Sequence, residues 1–207
     1  MILEAALIAT LAAECAPNVE PSTMQTLIVH ESSGNPYAIG SDPPIAEQPK
    51  SKEEAILMAK SLIDMGVNVS LGLGQINHKN FNGLKMTVED AFEYCPNIKA
   101  ADKILSDCFS RASNEGHKDQ AALQAAFSCY YSNNFKRGFV KEEQYKNTSY
   151  VERVALTNEK LVPAINFNSG DVGQTLEKKE VKKKQKAVEN LKKDSDNWDV
   201  FNDFKNQ

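Results

Sequence analysis

The chain has 207 residues, enough for one domain and an extension, and its 41% hydrophobic and 25% charged residues are ordinary for a globular protein. The net charge of −4 excludes the basic field on which nucleic-acid-binding proteins depend. No apolar run is long enough to span a bilayer as a helix. These properties favour a globular domain without nucleic acid as a partner and without a membrane span.

The N-terminal segment, MILEAALIATLAAECAP, has the apolar character of a signal peptide. It lacks a basic start and carries Glu4, which argues against that assignment. A stripe at helical spacing comprises Leu3, Leu7, Ile8 and Leu11. We therefore predict the first helix of the core here, and we expect any export signal to have been removed or to precede this sequence.

The second predicted helix carries an acidic residue, Glu31, near its end. Ser22 and Gln25 have the spacing of a capping box, which predicts a helix start near residue 23. Its apolar face comprises Met24, Leu27 and Ile28. Glu31 follows these residues at helical spacing, so its side chain is expected to project from the apolar face.

Glu31 has two possible states at this position. Asn35 and Pro36 bias the chain out of helical geometry shortly after it. Either the last turn frays and the carboxylate returns to water, or the carboxyl group stays partly dry. Desolvation would raise its pKa and keep it protonated near neutral pH, as a general acid requires.

The central part of the chain begins with a Pro-rich loop, GSDPPIAEQP. Ser51 and Glu54 form a second capping box, and Gly66 is placed as the C-terminal cap of the helix that follows. The next stretch, SLGLGQIN, is short and interrupted by glycine, which favours a loop or a ragged hairpin over a helix. Further helices are predicted in NIKAADKILSDCFSRA, over about residues 119–129 and in SYVERVALTNEKLV.

Composition changes near Ile165, and we predict a domain of residues 1–163 followed by a polar, Lys-rich tail of residues 164–207. Acidic residues nearly match the lysines of the tail, which favours a solvated linker over a membrane or nucleic-acid contact. The chain ends in WDVFNDFKNQ, whose aromatic residues could dock on a partner or on the domain itself.

The four cysteines are Cys15, Cys95, Cys108 and Cys129. None forms a CxxC pair and the histidines are scattered, which argues against a metal site. An even number permits two disulfides in any of three pairings, while four buried thiols in a reducing compartment are equally compatible with the sequence.

Four separated stretches occur in order along the chain: ESSGNPYAIG, GLGQIN, SCYYSNN and YVERV. Together they resemble the catalytic domain of the lysozyme-like lytic transglycosylases, most closely the VirB1-like branch that accompanies type IV secretion and conjugation systems. The resemblance spans roughly residues 3–162. It implies a mainly α, goose-lysozyme-like (SLT) fold with a polar C-terminal extension, and neither it nor the residues themselves require a cofactor or a metal.

The resemblance implies cleavage of the β-1,4 bond from N-acetylmuramic acid to N-acetylglucosamine in peptidoglycan, with Glu31 as the catalytic residue. The glutamate would protonate the glycosidic oxygen and then act as base on the C6 hydroxyl of the muramoyl sugar, which closes a 1,6-anhydro ring. Most glycosidases use two carboxylates. Asp42 is near in sequence, but it lies in the Pro-rich loop, so we do not expect it to be a second catalytic carboxylate.

Substrate-binding residues carry over from the second motif. They are Gly72, Leu73, Gly74 and Gln75, with Asn77 as their neighbour. The glycines are expected to let the backbone approach the sugar, and Gln75 is expected to form a hydrogen bond with it. A methionine that many relatives have before the glutamine is replaced here by Gly74.

Two tyrosines carry over from the last two motifs. Tyr130 matches a tyrosine whose hydroxyl contacts the catalytic glutamate in this family, and Tyr131 replaces the asparagine that follows it there. Tyr150 is expected to line the groove beside Glu31. Gly40 stands where many relatives have a serine near the reacting sugar. His30 is expected to be structural or exposed, because it points off the face of Glu31.

The family location is the periplasm, which favours disulfides; the pairs expected are Cys15–Cys95 and Cys108–Cys129. The helix after the Pro-rich loop is expected to form one wall of the groove. Expected partners are peptidoglycan glycan strands and, through the tail, components of a secretion or conjugation machine. The alternatives are a hydrolytic muramidase on the same fold and a non-catalytic peptidoglycan-binding assembly factor.

Overall fold

The computed structural model describes residues 1–161, so the predicted tail and its boundary lie outside the described residues. Within this range the α-helices are α1 (Ala5–Cys15), α2 (Pro21–Ser32), α3 (Lys52–Asp64), α4 (Phe81–Leu84), α5 (Tyr94–Asn114), α6 (Asp119–Ser132) and α7 (Tyr150–Leu161). The strands are β1 (Ile39–Ser41), β2 (Val69–Leu71) and β3 (Ile76–Asn77). The prediction of a mainly α fold is confirmed.

Helix starts follow local capping chemistry. The prediction for α3 is confirmed, because the Ser51 hydroxyl accepts a hydrogen bond from the Glu54 N–H, and Gly66 follows the helix with φ +78°. The prediction for α2 is wrong in detail. That helix begins at Pro21, and the carboxylate of Glu20 caps it by accepting from the Thr23 N–H, because proline presets the first helical turn.

The core lies around α5, the longest helix, which packs against both α1 and α6, while α2 packs against α1 and α7. The buried face of α1 consists of Ile8, Ala12 and Cys15. The predicted stripe is therefore only partly right: Leu3 is buried just before the helix, but Leu7 is 44% exposed. Two of the three buried residues of α1, Ala12 and Cys15, are small.

The strands form one antiparallel sheet in the order β1-β2-β3, with Ile39 opposite Leu71 and Ser70 opposite Asn77. The ragged hairpin predicted for SLGLGQIN is thus confirmed as β2 and β3. The third strand, β1, was not predicted. It brings the segment that follows Glu31 against the hairpin.

Two disulfides tie α5 to its neighbours, and they are the pairs expected from the resemblance. Cys15 joins Cys95 with Cα atoms 5.2 Å apart, and Cys108 joins Cys129 with Cα atoms 5.7 Å apart. Both separations are ordinary for a disulfide. Within residues 1–161, no helix combines the length and the apolar character needed to cross a membrane.

Candidate active site

A cavity of about 500 Å³ lies between the sheet and the ends of α2 and α6. Its lining is mostly hydroxyl and amide groups, and it consists of Glu31, Gly40, Ser41, Asp42, Asn68, Ser70, Gln75, Ile76, Asn77, Asn80, Ile104, Tyr130 and Tyr131. These described lining residues include two carboxylates and no basic side chain. Such a surface suits a neutral ligand rich in hydroxyl and amide groups, as a glycan is.

Glu31 enters this cavity from the last turn of α2. The helix does not fray before it: α2 continues to Ser32, and Ser33 closes it in the left-handed conformation at φ 53°. Burial raises the pKa of the Glu31 carboxyl to about 7, although the hydrogen bond from Tyr150 and the charge of Arg153 act in the opposite direction. A carboxyl group with this pKa can both donate and accept a proton near neutral pH.

The tyrosine that contacts Glu31 is Tyr150, not Tyr130. The Tyr150 hydroxyl donates a hydrogen bond to Glu31 Oε1. The Tyr130 hydroxyl instead donates to the Gly74 carbonyl at 2.6 Å. The contact expected of Tyr130 is therefore wrong, and Tyr150, only 3% exposed, lies behind Glu31 and does not line the cavity. Burial raises the pKa of both phenols, so both remain protonated donors.

His30 packs beside the same tyrosine. Its ring lies edge-on to Tyr150 with centroids 5.0 Å apart, and its Nδ1 is 3.2 Å from the Thr157 hydroxyl. Burial lowers the pKa of His30 to about 4, with the charge of Arg153 adding to the effect. His30 is therefore a structural neighbour that stays neutral where Glu31 titrates.

The turn between β2 and β3 is shaped by packing on α5. A Cβ on Gly72 would lie 2.0 Å from the Ala91 carbonyl, and Gly72 has φ +75°. A Cβ on Gly74 would lie 2.9 Å from that of Ala101. Leu73 is 1% exposed, so its expected sugar contact is wrong. The two glycines allow the turn to pack closely against other parts of the protein. The resemblance, in contrast, implies that they let the backbone approach the sugar.

Asn97 on α5 holds this turn, and it is absent from the residues that the sequence motifs predict. Its Nδ2 donates to the carbonyls of Leu71 and Ala91 at 2.9 and 2.8 Å, and its Oδ1 accepts from the Gly74 N–H at 2.7 Å. The side chain is 1% exposed. A signal was available: Asn97 is in helical register with Ala101, so it is a polar residue on an apolar face.

Gln75 and Asn77 lie where the sequence analysis expected them, on the cavity wall. The Gln75 amide donates to the carbonyls of Ala38 and Gly72 at 3.2 and 2.9 Å. A Cβ on Gly40 would lie 2.5 Å from Gln75 Oε1, so the glycine leaves room for this amide. Asn77 Oδ1 accepts from the Lys79 N–H at 3.1 Å, which orients its side chain.

Two further expectations concern the rim of the cavity. Asp42 was not expected to have a fixed place in the site, yet it lies on the cavity lining. The helix α3 was expected to form a wall, but it packs on β2 and contributes no described lining residue. Only Asn68, in the segment between α3 and β2, reaches the cavity.

The family model described as the transglycosylase SLT domain matches residues 9–151. The type IV secretion system protein virB1 of Brucella abortus (strain 2308) is 44% identical over 146 residues, which cover 70% of this chain and 60% of that protein. The protein virB1 of Rhizobium radiobacter is 29% identical over 196 residues, covering 94% and 72%. The match thus spans about 60% of the length of the Brucella relative. No solved structure matches significantly.

Proposed function

We propose, since this chain belongs to the VirB1-like branch of the transglycosylase SLT domain family, that it is a lytic transglycosylase acting on peptidoglycan. The bond cleaved is the β-1,4 link from N-acetylmuramic acid to N-acetylglucosamine, and the product carries a 1,6-anhydro-muramoyl end. The observation that carries this proposal is the position of the Glu31 carboxyl. It lies beside the Tyr150 hydroxyl at the edge of a polar cavity, and burial raises its pKa to about 7.

The reaction needs one group that first gives and then takes a proton. Protonated Glu31 donates its proton to the glycosidic oxygen, and the bond from that oxygen to C1 breaks with positive charge developing on the muramoyl ring. The C6 oxygen of the same ring attacks C1, and the Glu31 carboxylate takes the C6 hydroxyl proton. Glu31 ends protonated, so no water is consumed and the enzyme is ready for the next bond.

Tyr150 would assist the intermediate stage of this cycle. Its hydroxyl donates to Glu31 Oε1, and a hydrogen bond of this kind stabilises the ionised carboxylate. Burial stabilises the protonated form instead. The two effects oppose each other, which keeps both ionisation states of Glu31 accessible near neutral pH.

Asp42 supports a second candidate, a hydrolytic muramidase on the same fold. A hydrolase uses a second carboxylate either to activate water or to form a covalent intermediate. Asp42 is the other carboxylate on the described cavity lining. The two candidates differ in product, because hydrolysis leaves a reducing end in place of an anhydro ring.

In the cell, we propose that the enzyme opens peptidoglycan locally in the periplasm for a type IV secretion or conjugation machine. The support is the similarity to the Brucella abortus protein, which is a type IV secretion system protein by name. The tail of residues 164–207 is the proposed contact with other components of that machine.

The test is a digest of purified peptidoglycan by the wild type, Glu31→Gln and Asp42→Asn, with released fragments identified by mass spectrometry. Anhydro-muramoyl products from the wild type and from Asp42→Asn, reduced on the order of 10²–10⁴-fold in Glu31→Gln, are expected. Reducing ends that disappear in Asp42→Asn would identify the muramidase. Binding to peptidoglycan without products from any variant would point to an assembly factor.

A further inference from the structure

A cluster of side chains that begins at the cavity lining with Tyr131 connects α6, α7 and the segment between them. We call Glu142, Arg153, Tyr131 and Tyr150 the Glu142 cluster. Arg153 Nη2 lies 3.0 Å from Glu142 Oε2, and these side chains are only 17% and 10% exposed. Arg153 Nη1 also donates to the Thr148 carbonyl at 3.0 Å. An ion pair this far from water is screened less than a surface pair.

Glu142 also holds Tyr131. The Tyr131 hydroxyl donates to Glu142 Oε1 at 2.9 Å, so the two carboxylate oxygens have different partners. The Tyr131 ring stacks on that of Tyr150, with centroids 4.5 Å apart and an interplanar angle of 14°. The Arg153 guanidinium carbon lies 5.9 Å from the Tyr150 ring centre. Tyr131 and Arg153, which both bind Glu142, therefore lie against the ring of Tyr150, whose hydroxyl contacts Glu31.

We propose that Glu142, which does not line the cavity, acts on Glu31 through Arg153: it offsets the charge of Arg153 at Glu31, while Arg153 and Tyr131 pack on Tyr150. The proposal rests on the proposed function for its effect on catalysis. Glu142 is not a catalytic residue, because it acts only through the groups it holds.

The signs of the electrostatic effects follow from the groups around each carboxyl. Glu31 is faced by Tyr130 from α6 and by Tyr150 and Arg153 from α7, and the charge of Arg153 lowers the pKa of Glu31. Its neighbour in α2, His30, is held neutral because its pKa is lowered to about 4.

The charged groups around Glu142 are positive. Arg137 lies 3.6 Å away and Arg153 3.0 Å away, and Tyr131 donates to it. Removing the negative charge of Glu142 leaves the field of Arg153 less compensated at Glu31, so the pKa of Glu31 should fall. Removing the positive charge of Arg153 should raise that pKa.

The experiment measures the ionisation of Glu31 by carbon-13 NMR, and kcat against pH, in Glu142→Gln and Arg153→Met. We expect the midpoint of Glu31 to move by about half a pH unit or more, downward in Glu142→Gln and upward in Arg153→Met. The alkaline limb of kcat should move with it, with little change in KM. The matched control is Glu143→Gln, which removes the same charge from the exposed neighbouring residue and should leave the midpoint unchanged.

An unchanged midpoint in Glu142→Gln, or a shift upward, would overturn the proposal. Should Glu142→Gln not fold, Arg153→Met against Arg153→Lys gives the same test, because lysine keeps the charge and should restore the wild-type midpoint. The NMR midpoint does not depend on turnover. A wild type without products but with the expected shifts would therefore refute the proposed function alone, whereas active variants without shifts would refute this proposal alone.

Discussion

The two walls of the cavity are built in different ways. The strand wall, which we define as β1, β2, β3 and the turn of residues 72–75, is held by backbone pairing and by the buried amide of Asn97. The tyrosine wall, which we define as Tyr130 and Tyr131 with the buried Tyr150 stacked behind Tyr131, is held by hydroxyl hydrogen bonds and ring stacking, with charged residues behind it.

The strand wall therefore determines the shape of the cavity, and the tyrosine wall determines the ionisation of Glu31. Backbone and tightly packed glycines leave the strand wall little freedom, so changes there should affect stability first. The tyrosine wall contacts the Glu31 carboxyl directly and carries the field of Arg153, so changes there should affect its pKa first. A variant on one wall that produced the effect expected of the other would break this division.

The largest effect is expected for Gly72→Ala in the strand wall. The new Cβ would lie 2.0 Å from the Ala91 carbonyl, at a residue with φ +75°. We expect a loss on the order of 4 kcal/mol or more in the free energy of unfolding, measured by denaturant titration. The matched control is Gly66→Ala, which shares the positive φ at +78° but whose Cβ would meet nothing within 4 Å, so it should cost much less. Equal effects of the two substitutions would contradict the packing argument.

Asn97→Ala should be next on the same wall. It leaves the Gly74 N–H and the carbonyls of Leu71 and Ala91 without their buried partner. We expect a loss of about 3 kcal/mol in the free energy of unfolding, since several buried polar groups become unsatisfied. The exposed Asn82→Ala is the control. Full stability with lost activity would instead place Asn97 in the chemistry.

A pH-dependent effect is expected at Glu31, where both walls meet. The folded-state pKa of Glu31 is raised from 4.5 to about 7, so the contribution of Glu31 to the stability of the wild type is fully present below pH 4.5 and is lost as the pH rises through about 7. Glu31→Gln has no such loss. Its free energy of unfolding relative to the wild type should rise by up to about 3 kcal/mol between these pH values. Denaturant titrations at pH 4.5 and 8 check this, and a constant difference would contradict the raised pKa.

The smallest effects are expected for substitutions of the two tyrosines that form hydrogen bonds at the site. Tyr150→Phe removes the hydrogen bond that stabilises the ionised form of Glu31, so the pKa of Glu31 should rise further, by about one unit. Tyr130→Phe removes the hydrogen bond to the Gly74 carbonyl and should cost about 1 kcal/mol of stability. Carbon-13 NMR of Glu31 distinguishes them, and a larger pKa rise in Tyr130→Phe would restore the role first expected of Tyr130.

Local rules were sufficient where neighbours in sequence decide the structure. The cap at Ser51, the glycine at position 66 and the inward face of Glu31 all depend on residues within one or two helical turns. The first helix shows where such rules fail. Size alone favours Leu7, but Leu7 is largely exposed and the small side chain of Ala12 is fully buried.

Contacts between distant residues could not be predicted in this way. Glu31 and Tyr150 are 119 positions apart, and only the folded chain shows that this tyrosine, and not Tyr130, reaches the carboxyl group. The resemblance correctly singled out the glycines of the second motif, but it did not give the reason why glycine is needed there. Gly72 has no side chain because Ala91 and Asn97 of the protein itself occupy the space.

The disulfide between Cys15 and Cys95 has a consequence for proteolysis. The exposed residues 42–44 lie between Glu31 and Gln75, so a protease that cuts there places these two residues on separate peptides. Cys15 belongs to one peptide and Cys95 to the other. The nicked chain should therefore migrate as a single species on a denaturing gel and separate into two fragments only after a reductant is added.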